Sequence, residues 1–259
     1  MKNALLAKFR QTFEQAFVPI FVKDDFDTET LLAGCELAGV NVLEYTLRRA
    51  DAHKVIPALK KRYPEHVVYV GSTLDCEDII TQMRAKHHQL LTLAELAPFV
   101  DGFVSMLPFS NETLEKYRKT HLMIPTAETS GEALRQMSHG ATVIKVCGPD
   151  FSFSKKLHAA PTFNYCPTFI TGGVNNERME EAYAAGNILT AAGFDLILKG
   201  EDPSALTPEK VAEKLKIYLD AAKLARENIM PWTKESQTLT DEAFLETFPH
   251  YCSVKGERV

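Results

Sequence analysis

Residues 41–70 read NVLEYTLRRADAHKVIPALKKRYPEHVVYV. The two ends of this stretch, residues 41–47 and 67–70, are short apolar runs with β-branched side chains, which are typical of buried strands. Between them, residues 50–63 have the amphipathic pattern of a helix. The stretch therefore predicts a strand–helix–strand unit, the connection that joins two parallel strands of one sheet.

The same alternation extends in both directions along the chain. An opening helix is expected near residues 3–16, and residues 76–99 are expected to be helical without a strand. The other predicted strands are residues 18–22, 102–106, 122–125, 141–146, 168–171 and 188–191, and the other predicted helices are residues 27–38, 111–121, 152–159, 176–185 and 207–228. A further helix begins at Thr129, which has the capping-box spacing with Glu132. Eight strands that alternate with helices favour a closed (β/α)8 barrel, the α/β fold also called a TIM barrel, over an open doubly wound sheet.

Residues 229–259 differ in character from the rest. We predict one barrel domain at residues 1–228, which includes the N-terminal helix, and a C-terminal extension at residues 229–259. The extension holds the only tryptophan and four apolar anchors in a polar context: Trp232, Phe244, Leu245, Phe248 and Tyr251. These anchors predict a tail that packs on the barrel or on a neighbouring subunit, and a partly disordered terminus is the alternative.

Composition limits the classes of partner. The chain has 259 residues and a formal net charge of −5, so no basic excess indicates a nucleic-acid partner. No apolar run is long enough for a membrane span, and the first residues lack the apolar core of a signal peptide, so we expect a cytoplasmic protein. The five cysteines form no CxxC pair, which argues against a disulfide framework or a structural metal site and favours small buried side chains.

Lys145 is the first candidate for chemistry. It lies inside the apolar run VIKVC at residues 143–147, on the sixth predicted strand. Active sites of such barrels lie at the C-terminal ends of the strands. Burial disfavours the ammonium form of lysine, and the neutral amine is the form that attacks a carbonyl carbon. The alternative is a lysine whose charged end reaches solvent at the strand tip.

The second predicted strand carries Glu44, and Arg48 follows at the start of its loop. Side chains alternate along a strand, so Glu44 shares one face with Val42 and Thr46. A carboxylate near a lysine can move protons, directly or through a water, and an arginine can hold a substrate carboxylate with two hydrogen bonds. A purely structural Glu–Arg or Glu–Lys pair is the other interpretation.

Glycine loops follow the last two strands, at Thr171-Gly172-Gly173 and at Gly193. The loops after strands seven and eight form a phosphate site in many barrels, because glycines let backbone N–H groups approach an anion. A simple tight turn is the alternative interpretation of these glycines.

Together these motifs resemble a known family. The segments LEYTLR at residues 43–48, GST at 71–73, VIK at 143–145 and TGGV at 171–174 occur in the order and spacing of the 2-keto-3-deoxy-6-phosphogluconate/4-hydroxy-2-oxoglutarate (KDPG/KHG) aldolases. The resemblance covers about residues 15–200. It implies a lyase that is a class I aldolase, which cleaves a 2-keto-3-deoxy or 2-keto-4-hydroxy acid to pyruvate and an aldehyde. It also implies an enzyme without metal or cofactor, usually a homotrimer, that acts in carbohydrate metabolism.

The resemblance also assigns roles to residues. Lys145 would form the Schiff base and Glu44 would be the general acid/base. Arg48 and Thr73 would bind the carboxylate of the pyruvyl part. The distal phosphate would lie at the two glycine loops, with Thr171, Gly172, Gly173 and Gly193.

Several positions depart from the family pattern. Residues 145–149 read KVCGP where the family commonly has KFFPA, and residues 105–108 read SMLP where it has SPG. Phe194 places a ring after Gly193, where the family has a serine hydroxyl, so the presence of a phosphate on the substrate stays open. Two other functions also stay open: an isomerase or epimerase on the same phosphate-binding barrel, and a non-catalytic protein that binds a small keto acid.

Overall fold

The computed structural model describes residues 2–86, 90–159 and 166–247, and within them eight strands alternate with helices. The strands are β1 (Phe17–Phe21), β2 (Val42–Thr46), β3 (Val67–Thr73), β4 (Gly102–Ser105), β5 (Leu122–Ile124), β6 (Ile144–Cys147), β7 (Thr168–Thr171) and β8 (Leu189–Gly193). The helices are α1 (Lys2–Gln15), α2 (Thr28–Ala38), α3 (Ala52–Arg62), α4 (Glu77–Ala85), α5 (Leu93–Leu96), α6 (Asn111–Tyr117), α7 (Ser130–Ser138), α8 (Ser152–Ala159), α9 (Met179–Ala184), α10 (Phe194–Ile197), α11 (Pro208–Ile229), α12 (Trp232–Glu235) and α13 (Asp241–Glu246).

The strands form one parallel sheet in the order β5-β4-β3-β2-β1-β8-β7-β6. Its two outer strands also meet. The backbone N–H of Lys145 donates to the carbonyl of Pro125 at 2.8 Å, and a parallel bridge pairs Thr126 with Lys145. The sheet therefore closes on itself between β5 and β6, which confirms the prediction of a (β/α)8 barrel.

Side chains on alternate positions of each strand fill the barrel interior. This inner cluster includes Val42 on β2 and, just before β6, Val143. Side chains alternate with a period of two along a strand. Glu44 lies two residues after Val42, and Lys145 lies two residues after Val143. Both therefore face the same interior, nearer to the C-terminal ends of the strands. The outward side chains form a second, larger cluster with the helices around the barrel.

Helix α1 covers the opposite, N-terminal end of the barrel. The Gln15 side chain holds the starts of two strands, since its Oε1 accepts from the backbone N–H of Val42 at 2.9 Å and its Nε2 donates to the carbonyl of Phe17 at 2.8 Å. The hydroxyl groups of Thr12 and Tyr69 are hydrogen-bonded at 2.7 Å. Helix α1 therefore closes the N-terminal end of the barrel, and the C-terminal end is the one through which a substrate can enter.

The C-terminal extension packs on α1 as far as the structure describes it. Phe244 is buried, and its ring meets those of Phe9 and Phe13 edge-on, with centroids 6.0 Å and 5.5 Å apart. Trp232 stacks on Phe13 at 5.7 Å. Phe248 and Tyr251, also predicted as anchors, lie outside the described residues. The division at residue 228 stays a prediction.

Several local predictions can be compared with the structure. Thr129 and Glu132 form the predicted capping box, and the described part of residues 76–99 is helical without a strand. Strand β3 runs through Gly71 and Ser72 to Thr73; Ser72 has a left-handed φ of 60°, and the pairing with β4 shifts its register between Val70 and Thr73. No helix in the described ranges has the length and apolar character required to cross a membrane.

The prediction of buried cysteines is correct for two of the four described residues. Cys35 and Cys166 are buried, whereas Cys76 and Cys147 are exposed. Cys252 lies outside the described part of the chain. Cys147 is exposed because it is the last residue of β6, at the open end of the barrel.

Candidate active site

Lys145 lies in the barrel interior near the open end. Its side chain is almost fully buried, with 4% of the residue exposed. Its Nζ donates to the carbonyl oxygen of Ser105 at 3.3 Å and lies 3.6 Å from Sδ of Met106. Both partners belong to the end of β4 and its loop, so a neighbouring segment holds the lysine through a carbonyl and a sulfur atom.

Glu44 faces the same interior from β2. It is 2% exposed, and its Oε2 is buried without a hydrogen-bond partner among the described residues. Burial raises the pKa of Glu44 above its ordinary value, and the nearby positive charges of Lys145 and Arg48 offset only part of this effect. A carboxyl group in such surroundings takes up a proton readily, which suits a group that must both accept and return one.

Gly71 on β3 provides the space that Glu44 occupies. A Cβ atom on Gly71 would overlap Oε1 of Glu44 and would lie 2.7 Å from its Cδ. The family resemblance gives a role to Thr73 of the Gly71-Ser72-Thr73 segment but none to Gly71. A glycine within a strand often marks the close approach of another group, and that is the signal that could have identified it.

The two adjacent arginines after β2 have different environments. Arg48 is exposed at the open end of the barrel, where its charge acts on Glu44. Arg49 is 5% exposed and joins neighbouring loops, because its Nε donates to the hydroxyl of Tyr45 at 2.9 Å and its guanidinium also donates to Thr28 Oγ1 at 2.7 Å. Sequence reasoning missed Arg49, which acts in structure rather than in recognition.

Thr73 is buried at the end of β3. Its hydroxyl donates to the carbonyl oxygen of Val104 at 3.0 Å. The structure thus places Thr73 at the predicted end of the barrel, but its hydrogen is already committed to β4. A substrate carboxylate, which needs hydrogen-bond donors, would receive one from Thr73 only if the hydroxyl turned away from Val104.

The two glycine loops lie at the same end of the barrel, since parallel strands end together. Gly172 and Gly173 have φ values of 84° and 81°, which side chains rarely adopt, so this turn requires glycine. Thr171 Oγ1 lies 3.6 Å from the Sγ atom of Cys147. Gly193 ends β8 and is the N-cap of α10. All four predicted far-end residues therefore lie at the open end that Lys145 faces.

Phe194 does not occupy the position expected from the sequence. Its ring is 2% exposed and meets the ring of Phe21 edge-on, with centroids 4.9 Å apart and planes at 74°. Both rings belong to the outward cluster between strands and helices. The ring therefore leaves the substrate side of the loop free, and its bulk is no obstacle to a substrate.

No family model and no curated protein matches the chain. Solved structures do match it. A structure described as native KDPGal matches with a TM-score of 0.61 and 20% identity, over 81% of this chain and 95% of that one. A Legionella pneumophila KDPG aldolase, captured with pyruvate as a covalent carbinolamine intermediate, matches with a TM-score of 0.58 and 18% identity, over 83% and 97%.

The chain has the fold of the KDPG aldolases. Other chemistry also occurs on this fold. Thiamine phosphate pyrophosphorylase from Pyrococcus furiosus matches with a TM-score of 0.51 and 13% identity, over 81% of this chain and 98% of that one. Since the KDPG aldolase fold does not by itself specify a reaction, function must be argued from the site.

Proposed function

We propose that this protein is a class I aldolase. It would cleave a 2-keto-3-deoxy or 2-keto-4-hydroxy acid to pyruvate and an aldehyde, through a Schiff base on Lys145. The observation that carries the proposal is the shared burial of Lys145 and Glu44 at the open end of one barrel interior, where burial raises the pKa of the carboxyl group. An amine and a proton-accepting carboxyl group that face one barrel interior are the two groups that this cleavage needs.

The reaction begins at the C2 carbonyl. The neutral amine of Lys145 attacks C2, and loss of water leaves a protonated imine. Glu44, directly or through a water, accepts the proton of the C4 hydroxyl. The C3–C4 bond then breaks, its electron pair moves into the imine to give an enamine, and the aldehyde leaves. Glu44 returns the proton to C3, and water hydrolyses the imine to release pyruvate and free Lys145.

The pyruvyl carboxylate needs a cation near C1. Arg48 fits this role because it is exposed at the open end and its charge reaches Glu44 in the barrel interior. Thr73 would add a second contact if its hydroxyl turned from Val104. These contacts would hold C2 in line with the amine, which is the positioning that accelerates bimolecular steps. The homotrimer and the cytoplasmic location that the sequence suggests stay predictions.

Borohydride trapping tests the Schiff base. The protein would be incubated with pyruvate and sodium borohydride, digested, and analysed by peptide mass spectrometry. We expect a reduced pyruvyl adduct on Lys145, absent from the Lys145→Arg variant. Lys155→Arg is the matched control, because Lys155 pairs with Glu181 on the surface and its side chain is 53% exposed. Wild-type protein without an adduct at Lys145 would refute the proposal.

The same experiment separates the alternatives. An isomerase or epimerase that uses Lys145 as an acid/base or phosphate contact would give no adduct, and Lys145→Arg would keep part of its activity. A keto-acid-binding protein would bind pyruvate reversibly in calorimetry, again without adduct or turnover. The buried Glu44 carboxyl, whose Oε2 has no partner among the described residues, favours a catalyst over a binding protein, and the Lys145 adduct separates the aldolase from the isomerase.

A further inference from the structure

A carboxylate of this chain lies at the open end of the barrel, beside the glycine loop after β8. Ala191 faces the interior, so Gly193, two residues later, faces it as well. A Cβ atom on Gly193 would overlap Oδ1 of Asp195 and would lie 2.7 Å from Cγ2 of Val22. The Asp195 carboxylate thus occupies the inward side of Gly193, where the far end of a substrate bound to Lys145 would arrive.

Among the described residues, the two cations beside these loops are each paired with a carboxylate. Lys23, which follows β1, places its Nζ 3.2 Å from Oδ2 of Asp195. Arg178 contacts the carbonyl oxygen of Gly173 at 3.4 Å, but its Nε and one terminal nitrogen donate to Glu181 Oε2 at 3.1 Å and 2.9 Å. An anion at the glycine loops would therefore meet backbone N–H groups, two cations that are already paired, and Oδ1 of Asp195, since Lys23 contacts the other oxygen, Oδ2.

This charge distribution distinguishes between possible substrate ends. Two like unit charges about 4 Å apart in water repel by roughly the equivalent of fivefold in binding. A hydroxyl group can instead donate a hydrogen bond to a carboxylate, and such bonds to charged acceptors are among the stronger ones. The site therefore favours an uncharged end that carries hydroxyl groups.

We propose that Asp195, held by Lys23, is a specificity residue that selects an unphosphorylated 2-keto-3-deoxy sugar acid. Substrates that end in a phosphate or in a second carboxylate would be disfavoured. This inference rests on the proposed aldolase function, since it concerns the far end of that same substrate. It makes Asp195 a binding residue that contacts substrate beyond the bond that breaks.

The test compares kcat/KM for 2-keto-3-deoxygluconate and for its 6-phosphate. We expect the wild-type protein to prefer the unphosphorylated acid by about fivefold. Asp195→Asn should move the ratio toward the phosphate by about fivefold, and Lys23→Met should move it the other way. Asp220→Asn, an exposed carboxylate change on α11, should leave the ratio as in the wild type.

Pyruvate trapping by borohydride separates the two proposals, because pyruvate lacks a far end. If every variant forms the Lys145 adduct but Asp195→Asn leaves the substrate ratio unchanged, the Asp195 inference is wrong and the aldolase proposal stands. A wild-type preference for the 6-phosphate would likewise refute the Asp195 inference and leave the aldolase proposal standing. If the wild-type protein forms no adduct, both proposals are wrong.

Discussion

The carboxylate of Glu44 on β2 lies over Gly71 on β3, in the space where any other residue would place a Cβ atom. The pairing of the two strands brings them together, since Gly71 pairs with Thr46, two residues beyond Glu44 on the same face. Gly71 thereby sets the position of the proposed acid/base relative to Lys145. Its contribution can be tested without changing either reactive group.

Gly71→Ala should displace Glu44 and lower kcat by at least about tenfold, because shifts of about 1 Å in a catalytic group have large effects on rate. Gly131→Ala is the matched control, since a Cβ atom there meets nothing within 4 Å. Steady-state kinetics with circular dichroism would show the loss in a folded protein. Unchanged kcat in folded Gly71→Ala would show that Glu44 needs no such position.

Glu44 should also make stability depend on pH. Because its pKa is raised from 4.5, the folded state binds more protons than the unfolded state at pH values from 4.5 up to the raised pKa. The free energy of unfolding should therefore fall as pH rises through this window, with a slope of up to about 1.4 kcal/mol per pH unit for one proton. Urea titrations from about pH 4 to about pH 8 would measure this slope.

Glu44→Gln should lack this decline, so its stability relative to the wild type should increase with pH. Glu65→Gln, an exposed carboxylate change, should keep the wild-type dependence. Parallel pH profiles for wild type and Glu44→Gln would mean that the Glu44 carboxyl is not perturbed by its burial.

Phe194 should act in stability rather than in substrate binding. Removal of a buried aromatic ring costs about 3–5 kcal/mol, and this ring packs on Phe21 in the outer cluster. Phe194→Ala should lower the free energy of unfolding by that amount, whereas the milder Phe194→Leu should leave KM for either sugar acid within about twofold. A large KM change in a stable Phe194→Leu protein would place the ring in the site.

Within the C-terminal extension, the ring of Phe244 should contribute more to stability than the ring of Trp232. Phe244 is 1% exposed between Phe9 and Phe13, whereas Trp232 is 36% exposed. Phe244→Ala should cost about 3 kcal/mol or more and Trp232→Ala clearly less, because the cost of truncation follows burial. Denaturant unfolding would rank them, and equal costs would contradict the described packing.

The order of elements could be predicted from the sequence, and so could the two central candidates. Eight apolar runs that alternate with helices specify parallel strands, and a period of two places Glu44 on the face of Val42 and Lys145 on the face of Val143. These are local properties of single strands. They hold whatever the neighbouring strands do, which is why the barrel and its interior faces could be inferred before any contact was known.

Other features depend on the closed barrel. The overlap of Gly71 with Glu44 requires the register of β2 against β3, and the structural role of Arg49 requires the loop after β1 beside the loop after β2. Strand ends from distant parts of the chain meet only when the sheet closes, and no pattern within one strand encodes which residues become neighbours.

The loop after β8 is the clearest example of neighbours that the sequence pattern could not predict. The sequence placed Phe194 in the substrate region and left Asp195 without a role, because the direction of each side chain depends on how the chain turns into α10. The turn buries the ring against Phe21 and leaves the carboxylate beside Gly193 with Lys23. The sequence by itself thus determined the barrel and the candidates for carbonyl chemistry, while tertiary structure alone decided the charge at the far end, since that charge comes from residues brought together by packing.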